Sequence, residues 1–272
     1  MTTDLPPPPL PAPPRRYGPV NWRGAWTLFL KEVRRFLKVY FQTILAPVVT
    51  TLLFLAVFAL ALGRAAANVG GVPFLEFLAP GLIMMAMVQN AFANTSSSII
   101  IAKVQGNIVD MLMPPLSAAE QTLAVALGGV ARGVAVGLAV GLTMAAIVPL
   151  GTAHPLLIVF HAVMGSLMLS LLGMIGGIWA DKFDHMAAVT NFVITPLSFL
   201  SGTFYSIDRL PAVGRAIALA NPFFYLIDGF RCGFIGRADG DVWVGVAVVA
   251  AVDLFLGAVT YRMLATGYKL KA

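Results

Sequence analysis

Charge is scarce in this chain. Asp, Glu, Lys and Arg together make up 11 % of its 272 residues, where a soluble domain carries about 25 %. So little charge excludes the solvated shell of a water-soluble globule. Cysteine is scarcer still: Cys232 stands alone, which excludes an internal disulfide. The three histidines, His154, His161 and His185, lie far apart without ligand spacing, so no metal site is expected. A phosphate loop is missing too. The nearest pattern, Gly128 to Gly133, is followed by valine instead of Lys-Ser or Lys-Thr, so nothing here would cradle a nucleotide phosphate. Neither G-x-S-x-G nor H-E-x-x-H occurs, and no G-x-G-x-x-G stands in a strand setting; the hydrolase, zinc-protease and dinucleotide readings lose their chemistry. Carboxylates within the apolar runs are few, which leaves a proton- or sodium-driven relay poorly supplied.

What the chain has is hydrocarbon. Hydrophobic residues make up 59 % of it, and the mean hydropathy is +0.87. Six apolar runs are each long enough to span a bilayer: Gln42–Leu62, Phe77–Ile101, Gln121–Leu150, Pro155–Ala180, Met186–Phe204 and Val242–Ala265. A spanning helix needs about 20 such residues. In lipid each backbone group must be satisfied within its own segment, so helices are expected. A β-barrel would need alternating segments of about 10 residues, and these runs are continuous. The expected fold is all-α and integral to the membrane, with six transmembrane helices. No loop is long enough for a separate enzyme domain.

Residues 1–20 form a leader rich in proline (Pro6–Pro9, Pro11, Pro13, Pro14), expected to stay disordered. Residues 21–272 make one transmembrane domain. It opens with a basic amphipathic segment, Asn21–Tyr40. Trp22, Trp26, Phe29, Leu30, Val33, Phe36 and Leu37 recur at helical spacing, and Arg23, Lys31, Arg34, Arg35 and Lys38 crowd the other side. Such a helix suits the plane of the interface, with Asn21 as its N-cap. Of the 18 Lys and Arg, twelve fall on the side of the N-terminus if the runs alternate across the bilayer, five fall opposite, and Arg132 lies within a run. The bias places both termini in the cytoplasm. It also accounts for the net charge of +6 through anionic lipid, with no nucleic-acid partner expected.

Two connections stand out. Between runs two and three, Ile108, Met111 and Leu112 form a short apolar face before Pro114-Pro115, either a docking surface for a partner or a helix capping the bundle. Between runs five and six, the apolar stretch Ala216–Ile235 is broken by Asn221-Pro222 and carries Asp228 and Arg231. It is too interrupted to span, and a pair of helices re-entering the outer leaflet is expected.

Inside the runs, Gly129, Gly133, Gly137 and Gly141 recur every four residues, and Ser166, Ser170, Gly173 and Gly177 follow a similar ridge. Such ridges let helices approach closely, within the chain or between subunits. Arg132 and Asp253 lie at similar depth and are expected to pair. Asn90, Asn94, Ser97 and Ser98 share one face of the second run, beside Gln89. That face serves either hydrogen bonding between helices or a substrate path.

In this pattern the chain resembles the membrane subunit of ABC-2 type transporters, and is similar to the bacterial subgroup that exports drugs or glycans. Four stretches carry the resemblance: Phe29-Leu-Lys-Glu-Val-Arg-Arg-Phe36; Phe77-Leu-Ala-Pro-Gly-Leu82; Asn107-Ile-Val-Asp-Met-Leu-Met-Pro-Pro-Leu116; and Thr195-Pro-Leu-Ser-Phe-Leu-Ser-Gly-Thr-Phe-Tyr205 followed by Leu210-Pro211, Asn221-Pro-Phe-Phe-Tyr225 and Phe230-Arg231. It runs from about residue 22 to the C-terminus. The resemblance implies a connecting helix with Trp22, Trp26, Lys31, Glu32, Arg34 and Arg35. It implies a coupling helix with Asn107, Ile108, Asp110, Met111, Leu112 and Pro114 against an ATPase. It implies a re-entrant motif with Asn221, Pro222, Tyr225 and Arg231. Gln89, Asn90, Asn94, Arg132 and Asp253 are the residues for a substrate path or helix packing.

The implied partners are two ABC ATPase subunits, which carry ATP and Mg, and a second permease, expected to be an identical copy. This chain itself binds no cofactor. The implied location is the bacterial inner membrane, and the implied role is an outward-moving permease that is not itself an enzyme. The alternatives are a channel or secondary carrier that needs no ATPase, or a membrane enzyme built on Asp181, Asp184 and His185. Lipophilic, glycolipid, polysaccharide and drug-like cargo are not separated by these residues.

Overall fold

Helix α3 (Phe74–Val104), at 31 residues the longest among the described residues, is the axis on which the rest is built. The computed structural model describes residue 18 and residues 20–62, 68–69 and 71–270. The proline-rich leader, apart from residues 18 and 20, lies outside the described residues, as do Arg64 and Lys271 of the charge count. The other main elements are α1 (Trp22–Leu37), α2 (Ala46–Leu62), α4 (Ile108–Leu112), α5 (Ala118–Ala145), α6 (Pro155–Trp179), α7 (Phe183–Val189), α8 (Thr195–Phe199), α9 (Ala212–Ala220), α10 (Pro222–Ile235) and α11 (Val242–Thr266). A two-residue antiparallel ladder, Asn68–Val69 with Val72–Pro73, precedes α3. The expected all-α bundle is observed apart from that ladder.

Among the described residues, five helical segments are long and apolar enough to cross a membrane: Phe41–Ala61, Phe74–Val104, Ala118–Ala145, Pro155–Trp179 and Val242–Thr266. Two expected runs end early. The third helix stops at Ala145, short of Leu150. Pro149 disfavours helical backbone at the residue before it, and the chain leaves through a turn in which the Val148 amide donates to the Met144 carbonyl. The fifth run, expected over Met186–Phe204, is helical from Phe183 to Phe199 in pieces of seven, five and five residues. It ends in a turn where Gly202 takes φ +75°.

Prolines shape two of these helices in the same way. Pro47 and Pro196 each follow a π-helical turn, Phe41–Leu45 and Thr190–Ile194 respectively. A proline has no N–H for the carbonyl four residues back. The wider turn absorbs the mismatch: the amides of Ala46 and Thr195 bond to the carbonyls of Phe41 and Thr190, five residues back.

The glycine and serine ridges pack the chain against itself. A Cβ on Gly129 would strike the Ser170 hydroxyl, and one on Gly133 would lie 2.6 Å from Ser166 Oγ, so the α5 ridge sits in the α6 ridge. Gly173 and Gly177 meet α3 at Phe92 and Ser96. Backbone contact this close is what small residues permit. Two buried hydrogen bonds fix it, Ser170 Oγ to the Ala126 carbonyl at 2.9 Å and Thr95 Oγ1 to the Ser170 carbonyl at 2.7 Å. Burial is accordingly uneven. In the most apolar window of α3, 78 % of residues are buried; in the segment that includes α2, 17 % are, and in α11, 22 %. The last two present their side chains outward.

Candidate coupling and conduction site

The N-terminal helix is built as its sequence promised at one end. The Asn21 side chain caps it, accepting from the Gly24 amide at 3.0 Å. The Asn21 amide donates to Glu120, which closes a capping box on α5 with Ser117. Three faces then separate at about 100° per residue. Trp22 and Trp26 are exposed on one; Arg23, Lys31, Arg34 and Lys38 are exposed on the next; Leu28, Glu32 and Phe36 are buried against the bundle.

Arg35 departs from expectation. It does not join the solvated basic side. It ion-pairs with Glu32 at 3.1 Å and donates to Ser97 Oγ and Asn94 Oδ1, each at 3.0 Å, while Ser98 Oγ donates to Glu32 Oε1 at 2.8 Å. The reason is a carboxylate that is 1 % exposed. Unpaired, it would cost several kcal/mol, and Arg35, three residues on, is the cation within reach. Asn94 is therefore a partner of α1, fully buried, and does not open onto a path.

For the short helix α4, the structure takes the second of the two readings its pattern left open, a helix whose apolar side caps the bundle. Among the residues proposed as an exposed apolar docking face, Met111 is 5 % exposed, part of the main core, and Ile108 and Leu112 are half-buried. Core burial draws in the apolar side of a five-residue helix. Val109 (52 %) and Met113 (77 %) point outward instead, beside exposed Asn107, Asp110 and Pro114. Between α4 and the basic side of α1 lies a groove of about 810 Å³, lined by Arg23, Thr27 and Lys31 on one wall and Asp110, Pro114 and Pro115 on the other.

On α3, Gln89 and Asn90 open onto two further grooves. One, of about 300 Å³, runs toward α2 at Thr50 and Phe54. The other, of about 420 Å³, runs toward α7 and its π turn at Phe183 and Thr190. Arg132 reaches across from α5, and its Nη2 donates to Asn90 Oδ1 at 2.9 Å. The expected pair of Arg132 with Asp253 does not form: no ion pair joins them, and both Asp253 oxygens are buried without a hydrogen-bond partner. Arg132 lies nearer to a neutral acceptor. The bundle thus joins Gln89, Asn90 and Arg132, and holds Asn94 and Asp253 apart from them.

At the other end of α3, Asn221 caps α10, accepting from the Phe223 amide at 3.0 Å and donating to the Leu197 carbonyl at 2.9 Å. Pro222 occupies the first turn, where its missing N–H costs nothing. Tyr225 packs beside Phe224 and Gly245. Arg231 is fully buried. Its Nε donates to the Phe77 carbonyl at 3.2 Å, its Nη2 to the Gly202 carbonyl at 2.7 Å, and its guanidinium lies 3.8 Å from the Phe77 ring centroid. Asp228 accepts from the amides of Asp239 and Gly240 at 2.8 and 2.9 Å. Together they fasten the α9–α10 corner onto the start of α3.

One cluster escaped the sequence reading. Lys103 Nζ donates to the carbonyls of Ile178 and Ala180 and to Asp181 Oδ1; Lys269 Nζ donates to the Trp179 carbonyl and to Asp181 Oδ2, both at 3.0 Å. These are the unpaired carbonyls and the negative end of α6. The hydrogen bond from Lys269, with a further one from Lys103, holds the Asp181 carboxyl below its ordinary range. Only distance in space, unreadable from spacing, hid this clasp.

A bundle in which five helical segments are long and apolar enough to cross a bilayer, two of them presenting apolar side chains outward, defines a multi-pass membrane protein. Its kind follows from comparison: the ABC-2 type transporter profile matches residues 23–235, and the chain belongs to that family. It is 34 % identical over 237 residues to the inner membrane transport permease YadH of Escherichia coli (strain K12), which covers 86 % of this chain and 93 % of that one. It is 25 % identical over 237 residues to nodulation protein J of Rhizobium leguminosarum bv. viciae, covering 85 % and 89 %. It is 24 % identical over 230 residues to nodulation protein J of Neorhizobium galegae, covering 83 % and 85 %.

Proposed function

We propose that this chain is the membrane-embedded permease subunit of an ATP-driven exporter in a bacterial inner membrane, working as a pair of identical copies with two separate ABC ATPase subunits. The family and the name of its relative YadH support the transport role and the location. The missing phosphate loop leaves hydrolysis, with ATP and Mg, to another chain.

In this reading the kinked helix Phe183–Phe199 is a sixth crossing, and both termini are cytoplasmic. Alternation then brings α1, α4, Lys103, Asp181 and Lys269 to the cytoplasmic end, in keeping with the contacts among them. α10, 14 residues long, reaches about 21 Å, short of the roughly 30 Å hydrocarbon core. It sits with α9 as a re-entrant corner at the outer leaflet. The outward-facing α2 and the two α3 grooves beside Gln89 and Asn90 supply one wall of a path that a second copy completes, with lipophilic, glycolipid, polysaccharide or drug-like cargo.

The observation that carries the proposal is the open α1–α4 groove, flanked by exposed Val109 and Met113 on the element that the family places against its ATPase. The test is a Val109→Glu, Met113→Glu double variant, assayed in proteoliposomes with the ATPase. Loss of transport with normal insertion is expected. Undiminished transport would remove the coupling assignment.

A further inference from the structure

The groove between α2 and α3 is polar at one end and aromatic at the other. Along α2 it runs from Gln42 past Pro47 to Phe54, about 18 Å at 1.5 Å per residue. Leu82, Ala86 and Asn90 of α3 face it. Gln42 and Asn90 mark the end near α1; Phe54 and Leu82 mark the other. Beyond Phe54 stands a stack of rings. The Phe204 centroid lies 4.6 Å from that of Phe58 and 5.3 Å from that of Phe199, at interplanar angles of 26° and 17°. Phe54 adjoins Phe204 at 6.4 Å. Phe204 therefore meets α2 and the kinked helix at once.

The two sides of the stack are held very differently. Phe204 follows a buried corner, Ser201-Gly202-Thr203. Arg231 donates to the Gly202 carbonyl at 2.7 Å, and a Cβ on Gly81 would lie 3.1 Å from the Thr203 carbonyl. That side is a post fixed to the start of α3. α2 is loose by comparison. Of its described side chains only Thr51 and Leu55 are buried. Its one side-chain hydrogen bond among the described residues, from Thr51 to the Pro47 carbonyl, stays within the helix. Its hold on the post is ring against ring, a contact that parts without stranding a buried polar group.

At its other end α2 begins on a hinge. The π-helical turn Phe41–Leu45 and Pro47 interrupt the regular ladder of amides. Hydroxyls bond back to the backbone on either side of that proline: Thr43 Oγ1 to the Phe36 carbonyl at 3.0 Å, and Thr51 Oγ1 to the Pro47 carbonyl at 2.7 Å. Such bonds bend helices. Upstream, α1 is pinned to α3 through Arg35 and Asn94. Rotation collects at a weak point between a pinned helix and a loose one.

We infer that α2 is the moving leaf of a gate: it turns on the Phe41–Pro47 hinge and closes the α2–α3 groove by laying Phe54 and Phe58 against Phe204. The inference rests on the transport reading above, which makes that groove part of a path; the stack, the post and the hinge do not. α1, which walls the proposed ATPase groove, leads directly into the hinge, so the ATPase has a route to the leaf.

The test is cross-linking in the permease–ATPase complex, with Cys232→Ala as background. Phe58→Cys and Phe204→Cys should be joined quickly by a short bifunctional thiol reagent without nucleotide, and at least about tenfold more slowly with a non-hydrolysable ATP analogue. Phe199→Cys with Phe204→Cys, both on the post side, should join equally fast in the two states. Pro47→Ala, which restores the missing amide, should keep the first pair fast in both. Equal rates for the Phe58–Phe204 pair with and without nucleotide, in a complex that hydrolyses ATP, would overturn the gate. A control pair slowed as much would overturn the post, and slowing that persists in Pro47→Ala would overturn the hinge.

A permease that binds no ATPase would overturn the transport reading instead, and the closure is then judged on the permease alone in proteoliposomes. Ala86→Cys, inside the groove, should react slowly with a membrane-impermeant thiol reagent. It should react at least about tenfold faster once Phe58→Ala or Phe204→Ala removes one side of the stack. Both rings are only half-buried, so the fold survives their loss. Unchanged reactivity in both variants would sink the gate.

Discussion

Arg35 donates to the side-chain oxygen of Asn94 at 3.0 Å, so the helix lying along the bundle is bolted to the helix at its centre by a residue expected to face water. The bolt matters because Glu32, 1 % exposed, has Arg35 as its one cation among the described residues. Arg35→Ala strands a buried carboxylate, a change that costs about 3 kcal/mol or more when a buried pair loses one partner. Arg35 is partly solvent-exposed, which places the effect toward the low end. Thermal unfolding of the purified permease should fall clearly for Arg35→Ala and recover in the double variant with Glu32→Gln. A midpoint unchanged by Arg35→Ala would show that the network does not hold α1.

The residues that misled here show what a sequence conveys about such a chain. The long helices were legible because hydrocarbon demands unbroken apolar runs, and Asn221-Pro222 announced the division between α9 and α10. The N-cap Asn21 was legible because capping is local. What failed was direction. On a helix as short as α4, the pattern of Ile108, Met111 and Leu112 says that one side is apolar but not whether it meets a partner or the core. Arg35 sits on a boundary between faces, and a buried Glu32 settled its side. The Lys103–Asp181–Lys269 clasp joins three segments far apart in the chain, and no spacing rule reaches across such gaps.

The two methionines of the coupling segment should separate stability from coupling. Met111 is 5 % exposed and in the core, and truncating such a side chain costs about 2–4 kcal/mol. Met113 is 77 % exposed, where truncation costs within about 0.5 kcal/mol. Met111→Ala should therefore lower the unfolding midpoint. Met113→Ala should leave it in place and reduce transport-coupled ATP hydrolysis by the partner. Equal midpoints for both would contradict the inward orientation of Met111.

Arg132 takes Asn90 as its partner at 2.9 Å, and Asp253 has none. A double-mutant cycle on unfolding free energies should therefore show coupling for Arg132→Met with Asn90→Ala, about 0.5 kcal/mol or more. The cycle for Arg132→Met with Asp253→Asn should be additive within about 0.5 kcal/mol, as for residues that share no partner. Strong coupling of Arg132 with Asp253 would mean that another conformation of the bundle joins them.

The last prediction concerns the clasp at the end of α6. Lys269 first, and Lys103 with it, hold the Asp181 carboxyl below its ordinary value. A carboxyl depressed in the folded state stabilises that state above its unfolded pKa, and the contribution is lost as pH falls through the folded value. The tether of Tyr268–Leu270 should therefore be constant from pH 8 down to about 5 and fail only in acid below the normal aspartate range near 3.9. A spin label at Tyr268→Cys should be immobile at pH 7 and mobile at pH 3. Asp181→Asn should be mobile at both, because the amide keeps the shape and loses the charge that draws in Lys269. A label equally rigid in Asp181→Asn at pH 7 would show that the carbonyls of α6 hold Lys269 without the carboxylate.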